Sequence, residues 1–272
     1  MARGQGEPPP PVVLVHGSMD RSAGFARVMA GLPGRHVMRY DRRGYGRSRL
    51  AGPPVGVDGH VDDLLALVHE QAGGRAAVVG HSYGGVVALA AADRSPSAVV
   101  AVGAFEAPLP WLPWWPSTSA GAAGIAAASA GDGDPGDAAD AFLRRMLGEQ
   151  RWMELPPKTR RERRLEGPAL VAELGSLHAG APPFDLDDLP VPVLAGHGTR
   201  SGEHQLRAAQ HLSWVAGTTP FVIDGAQHGA HLSHPAAFAA FAEAAAAMAP
   251  PMPSGAPRAV DGAGGGSGRG GR

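Results

Sequence analysis

The chain has 272 residues, enough for one large domain or two small ones with a sizeable core. Its net charge of -1 favours neither nucleic acid nor an anionic membrane surface as a partner, and the lack of cysteine excludes disulfides and thiolate chemistry. No apolar run reaches the roughly 18 residues of a membrane span. The polar, proline-rich start also lacks the apolar run of a signal peptide, so we expect a cytoplasmic protein.

Short apolar runs alternate with helical patterns along most of the chain. The runs are continuous rather than alternating, which is typical of strands buried on both faces of a parallel sheet. We therefore predict an α/β fold with a doubly wound, mostly parallel sheet of about six or more strands. The predicted strands are 12–15, 36–40, 76–79, 98–105, 191–195 and 220–223, and the predicted helices are 22–32, 58–71, 84–94, 203–216 and 235–248.

One long segment interrupts this alternation. Residues 108–187 contain no convincing strand but show helical patterns around 137–150 and 158–178. Because the segment is too long for a plain loop, we predict a helical cap over the carboxyl edge of the sheet, where open α/β folds bind ligands. The predicted organisation is a core of 11–107 and 188–249, a cap of 108–187, and a disordered Pro/Gly-rich tail of 250–272.

A serine lies in a glycine-flanked turn between the third strand and its helix. The segment reads Gly80-x-Ser82-x-Gly84, and the glycines allow a sharp turn that exposes the serine hydroxyl at the sheet edge. The same turn points the N–H of Tyr83 at charge developing on a substrate oxygen. Ser82 is therefore the candidate nucleophile, and Tyr83 is a candidate oxyanion donor.

The first and last strands each end near a histidine. His16 and Gly17 follow the first strand, where the N–H of Ser18, or failing that Met19, could complete an oxyanion hole. The alternative interpretation of these residues is structural, a simple turn at the strand end with His16 packed in the core. His228 follows the last strand in a loop, where a general base could reach the serine.

Together these segments resemble the α/β-hydrolase superfamily over about residues 11–249. The loop 40–48, with the sequence Tyr-Asp-Arg-Arg-Gly-Tyr-Gly-Arg-Ser, and the segment 225–235 around His228 are also similar to segments of that family. We take Asp41 and Arg42 as structural members of the loop. Little chain precedes the first strand, so one or two antiparallel edge strands of larger relatives are expected to be missing.

The third member of a catalytic triad has more than one candidate in this sequence. The resemblance implies an aspartate after the penultimate strand, but Ser201 stands there and cannot carry the charge. Glu106 is our first choice, because it ends the fourth strand among apolar residues and an ionised carboxylate there needs a partner. Glu203 is the second choice, and a dyad or an impaired site is the remaining alternative.

Candidate substrate-binding residues are Trp111 and Trp114, from the Pro/Trp-rich start of the cap, and His81 beside the nucleophile. The tryptophans could line an apolar pocket, or they could form a hinge that packs the cap on the core. His228, His231 and His234 lack the acidic partners of a metal motif, so we predict no metal and no cofactor.

The resemblance implies a serine hydrolase that cleaves an ester-like bond of a small apolar substrate through an acyl-enzyme. Lactone, amide or C–C cleavage and cofactor-free haloperoxidation are alternatives on the same fold. A non-catalytic ligand receptor on the same scaffold is an alternative of a different class. The oligomeric state is not predicted.

Overall fold

The computed structural model describes residues 9–130, 133–178 and 182–251. Six strands form one sheet in the order β2-β1-β3-β4-β5-β6, and all of its pairings are parallel. This confirms the predicted α/β class. The predicted tail lies, from residue 252 onward, outside the described residues. The strands are β1 (Val12–Val15), β2 (Val37–Arg39), β3 (Ala76–His81), β4 (Val99–Phe105), β5 (Val193–Gly198) and β6 (Phe221–Ile223).

The central strands are apolar because helices cover both faces of the sheet. Side chains alternate between the faces, so Val13 of β1 packs in one core and Leu14 in the opposite one. The edge strands β2 and β6 are short and only partly buried. The strand β3 extends two residues past its predicted end, and its His81 pairs with Phe105 of β4. That extension brings the carboxyl ends of β3 and β4 level.

The helices of the core lie on the two faces of the sheet. The predicted helix 22–32 is instead a 3₁₀ turn followed by a short α-helix. None of the described helices is long and apolar enough to cross a membrane. The core helices are α1 (Ala26–Ala30), α2 (Val57–Gln71), α3 (Tyr83–Arg94), α9 (Glu203–Val215), α10 (Ala230–Ser233) and α11 (Pro235–Ala247).

Five further helices lie between β4 and β5, in the segment predicted as a cap. The predicted helix 158–178 is divided into two at Leu165 and Glu166. The alanine-rich first helix was not predicted, because alanine and glycine around a single larger apolar residue, Ile125, give no periodic pattern. A third apolar cluster joins these helices to Met19 and Tyr45 of the core. The five are α4 (Ala120–Ala128), α5 (Pro135–Leu147), α6 (Glu149–Glu154), α7 (Pro157–Arg164) and α8 (Gly167–His178).

Candidate active site

Ser82 occupies a strained turn between β3 and α3. Its φ of 54° and ψ of -126° are unfavourable for a residue with a side chain. A Cβ at position 80 would lie 2.1 Å from the carbonyl oxygen of Gly84, and a Cβ at position 84 would lie 2.2 Å from that of Val15. Both positions therefore require glycine, as the sequence motif predicts.

Backbone strain is concentrated around this turn. Three non-glycine residues in the described part of the chain have a positive φ, namely Met19, Ser82 and Glu106. Each follows one of the adjacent strands β1, β3 and β4. Such conformations cost about 1–3 kcal/mol each and persist where the surrounding structure holds them, which is frequent at functional sites.

Glu106 is buried and contacts His228. Its Oε2 accepts a hydrogen bond from Nδ1 of His228 at 2.6 Å, while Oε1 accepts from the N–H of Gly198 at 2.9 Å and from the hydroxyl of Ser201. Burial would raise the pKa of Glu106, but the hydrogen bonds from His228, Ser201 and Gly198 lower it below its usual value. The side chain is therefore an ionised carboxylate with every near partner donating to it.

Glu203, the second choice for the acid, is exposed at the first position of α9. Gln205, two residues further, is the residue of this helix that approaches the histidine, with Nε2 at 2.8 Å from Nδ1 of His228. Ser201 stands where the resemblance implies an aspartate, and it donates to Glu106 instead. The carboxylate that faces His228 therefore comes from the end of β4, and the residue after β5 contributes a hydroxyl that donates to this carboxylate.

His228 lies in the loop between β6 and α10, and its side chain is 18% exposed. Since its Nδ1 faces Glu106, its Nε2 is the nitrogen left for a proton transfer. Ser82 and His228 line the same cavity. Within the described residues no hydrogen bond joins the two side chains, and catalytic hydrogen bonds of this kind often tighten only when substrate binds.

Backbone N–H groups lie on two sides of the nucleophile. Tyr83 is the first residue of α3, where a helix leaves its N–H groups without intrahelical partners. Gly17 packs against the serine, since a Cβ there would lie 2.9 Å from Cβ of Ser82. Ser18 lines the cavity, whereas Met19 is buried against Tyr45 and is not part of the lining. Ser18 is therefore better placed than Met19 to meet a substrate oxygen.

His81 was predicted to bind substrate, and the structure places it elsewhere. It is buried behind His228, outside the lining of the cavity, and its Nε2 donates to the carbonyl oxygen of His228 at 2.7 Å. Burial and the neighbouring histidines hold its pKa well below the usual value, so the ring is neutral. His81 supports the loop that carries His228.

Within the described ranges, one group of side chains has the geometry to bind a metal ion, and it lies behind His81. Potential ligand atoms of Asp20, His81 and His231 lie within 4.8 Å of one another. Asp20 already accepts a hydrogen bond from His231 at 2.8 Å, and the His81 and His231 rings are in contact, with centroids 4.2 Å apart and planes tilted by 46°. These contacts account for the group as a support of the His228 loop.

A cavity of about 410 Å³ opens over Ser82 and His228. Trp115 lines it, whereas the predicted Trp111 and Trp114 do not. Trp111 packs edge-on against Phe184, and the guanidinium of Arg207 lies over Trp114. These two tryptophans fix the start of the cap segment, which was the alternative given above. The larger apolar lining residues are Pro108, Pro110, Trp115, Phe142, Met146, Leu174 and Leu177.

Two residues near the site were not singled out from the sequence. Gln205 gave no signal, because a glutamine in the first turn of a helix is ordinary. Glu173 is a single acid in the apolar run 169–174 of α8, and its side chain is fully buried. A buried acid needs a partner, so that interruption of an apolar run was a usable signal.

Comparisons with known proteins agree with this architecture. Residues 12–241 match the alpha/beta hydrolase family. The curated relative Lipase LipV of Mycobacterium tuberculosis is 36% identical over 94 residues, which is 35% of this chain and 36% of that lipase. The match therefore spans little more than a third of the lipase's own length.

Solved structures show the same fold at low sequence identity. The enol-lactonase from Burkholderia xenovorans is 22% identical with a TM-score of 0.63, over 88% of this chain and 91% of that one. A hydrolase from Pseudomonas aeruginosa is 20% identical with a TM-score of 0.68, over 88% and 91% of the two chains. The family match covers most of the sequence, and so the chain belongs to the alpha/beta hydrolase family.

Proposed function

We propose that the protein is a serine hydrolase that cleaves an ester-like bond of a small, mainly apolar substrate. The observation that carries this proposal is the 2.6 Å hydrogen bond between Nδ1 of His228 and the buried carboxylate of Glu106, beside the strained turn of Ser82. A carboxylate that orients a histidine next to an exposed serine is the arrangement that activates a serine hydroxyl. Glu106 is the proposed acid and Glu203 is not.

In the proposed acylation step, Nε2 of His228 takes the proton of Ser82 as Oγ attacks the carbonyl carbon. The resulting oxyanion accepts hydrogen bonds from the N–H groups of Ser18 and Tyr83. Glu106 stabilises the charged imidazolium while remaining ionised itself. When the tetrahedral intermediate collapses, the alcohol leaves with the proton from His228, and the acyl group stays on Ser82.

In the deacylation step, His228 removes a proton from water as the water oxygen attacks the acyl carbon. The same two N–H groups hold the second oxyanion, and the proton then returns to Oγ of Ser82 as the carboxylic acid is released. The cycle consumes one water and needs no cofactor.

The cavity supports a small substrate with an apolar portion. Its volume of about 410 Å³ is in the usual range of small-molecule sites. We also propose that residues 108–187 act as a cap, because Trp115, Phe142 and Leu177 from this segment line the cavity. A receptor without catalysis would have no need of a strained serine beside a histidine that a buried carboxylate orients.

Hydrolysis of p-nitrophenyl acetate, butyrate and octanoate tests the proposal. We expect turnover by the wild type, none above background for Ser82→Ala, and a loss of at least about 10⁴-fold for His228→Ala. His234→Ala is the matched control, because His234 lies in the same histidine-rich segment but bonds to Ser233 outside the cavity. It should retain wild-type activity. Activity that survives in Ser82→Ala would refute the mechanism.

A further inference from the structure

Glu173 of α8 reaches from the cap segment into the core beside the nucleophile. Its side chain is fully buried. Its Oε2 accepts hydrogen bonds from the hydroxyl of Ser18 at 2.5 Å and from that of Tyr45 at 2.9 Å, while Oε1 accepts from the guanidinium of Arg42. Nε2 of His60 lies 3.1 Å from the same Oε1. One carboxylate of the cap segment therefore joins several core residues that are distant in sequence.

Both residues after Gly17 are connected to this carboxylate. The side chain of Ser18 is bonded to it directly. Met19 packs in one apolar cluster with Tyr45, whose hydroxyl donates to Glu173. Met19 also has a φ of 55°, a conformation that needs support from its surroundings. Glu173 thus supports the turn that presents the Ser18 N–H.

The carboxylate is charged whenever the protein is folded near neutral pH. Burial would raise the pKa of Glu173, but the charge of Arg42 and the contact with His60 lower it to about 2. Arg42 is itself fully buried and cannot lose its proton. The acceptor for Ser18 and Tyr45 is therefore constant, and hydrogen bonds to a charged acceptor are stronger than those to a neutral one.

We propose that Glu173 is a positioning residue for the oxyanion hole, so that the docked cap segment organises the backbone that stabilises the transition state. The inference rests on the proposed function, because it assigns the Ser18 N–H to the oxyanion. It predicts that loss of Glu173 reduces stabilisation of the transition state more than it reduces binding of the ground state.

Glu166 provides a matched control for the effect of removing a buried acid. It is also a fully buried carboxylate of the same segment, and it pairs with Arg21 at 2.8 Å. It accepts from the N–H of Gly46 at 3.0 Å. Among the described residues it has no hydrogen bond to Ser18 or to the hydroxyl of Tyr45, the two groups that Glu173 holds. Glu166→Gln therefore breaks an ion pair between cap segment and core but leaves the oxyanion turn attached.

The experiment compares Glu173→Gln, Ser18→Ala, Tyr45→Phe and Glu166→Gln with the wild type. Ser18→Ala keeps the backbone N–H and the Arg42–Glu173 pair, so it remains informative if Glu173→Gln fails to fold. We would measure kcat and KM for p-nitrophenyl butyrate and the inhibition constant of an aryl trifluoromethyl ketone, which forms a tetrahedral oxyanion adduct with an active serine. Active sites would be counted with a fluorophosphonate.

We expect kcat per active site to fall about 10- to 100-fold in Glu173→Gln and about 3- to 10-fold in Ser18→Ala and Tyr45→Phe, with KM changed less than about threefold. The inhibition constant of the ketone should rise by about the same factor as kcat falls. Glu166→Gln should lose thermal stability, but its kcat and its inhibition constant for the ketone should equal those of the wild type. If Glu173→Gln and Ser18→Ala behave like Glu166→Gln, the inference is wrong. A wild type that neither turns over ester nor binds the ketone would instead refute the proposed function.

Discussion

Glu106 and Glu173 are both buried carboxylates, and each accepts three hydrogen bonds from nearby donors. They differ in the basic side chain that faces them. Glu106 faces His228, an imidazole that borders the cavity and whose charge can change during a reaction. Glu173 faces Arg42, which is buried and permanently charged.

This difference separates two uses of a buried acid. A carboxylate paired with histidine can orient and stabilise a group whose charge changes during a reaction, so its effect appears in the rate. A carboxylate paired with arginine forms a constant link, and its removal leaves an uncompensated buried charge, so its loss lowers stability in addition to disturbing the turn that it holds. The following variants test whether the two acids divide in this way.

Glu106→Gln should produce the largest effect on activity. We expect kcat to fall about 10³- to 10⁴-fold, because the glutamine cannot stabilise a charged imidazolium or hold its tautomer. Glu203→Gln is the control, and it should stay within about twofold of the wild type because Glu203 is exposed at the start of α9. Ester hydrolysis at pH 7 measures both. The assignment fails if the Glu203 variant is the inactive one.

Glu173 should contribute strongly to the acid dependence of stability. Its folded pKa of about 2 lies below the ordinary value of 4.5. The stabilisation is therefore complete above pH 4.5 and is lost as the pH falls towards 2. Its size is about 3 kcal/mol, at 1.36 kcal/mol for each pKa unit. Urea unfolding between pH 2 and 7 should show that Glu173→Gln is less stable at pH 7 and loses less stability on acidification than the wild type. An unchanged pH dependence would contradict this account of the pair.

Trp115 and Trp111 test whether the apolar start of the cap segment serves the cavity or the packing. Trp115→Ala should raise KM for p-nitrophenyl butyrate about 5- to 20-fold, because Trp115 lines the cavity. Trp111→Ala should leave KM unchanged and lower stability by about 3 kcal/mol, because Trp111 packs against Phe184. Equal effects on KM would show that the two side chains share one role.

Ser201→Ala should give the smallest effect and sharpen the comparison with Ser18. Each serine donates to one of the two acids, Ser201 to Glu106 and Ser18 to Glu173. Loss of the Ser201 hydroxyl removes a hydrogen bond to the charged form and so raises the pKa of Glu106. We expect kcat to fall about three- to tenfold at pH 7, because the variant lacks one hydrogen bond to a charged group. The pH profile of kcat should lose activity at a higher pH on its acidic side than that of the wild type. A wild-type profile would show that Gly198 and His228 suffice to hold the carboxylate.

The sequence predicted the parts of the molecule that depend on neighbouring residues. Continuous apolar runs predicted all six strands, and the Gly80-x-Ser82-x-Gly84 spacing predicted a turn that only glycine at both flanks allows. Glu106 was chosen from its apolar neighbours, and the structure pairs it with His228.

The features that the sequence did not predict depend on how the cap segment docks. Which tryptophan faces the cavity is decided by Phe184 and Arg207, residues far along the chain. His81 looked available for substrate because it precedes the nucleophile, but α10 brings His231 against it. The contacts of Glu173 are made across more than a hundred residues of sequence, and no local pattern encodes them.

The central claim, that Glu106 and His228 activate Ser82, is tested most directly by fluorophosphonate labelling followed by intact mass measurement. The wild type should gain a single adduct, Ser82→Ala should gain none, and Glu106→Gln should react far more slowly while Glu203→Gln reacts at the wild-type rate. An adduct that persists in Ser82→Ala, or a wild type that remains unlabelled, would contradict the account.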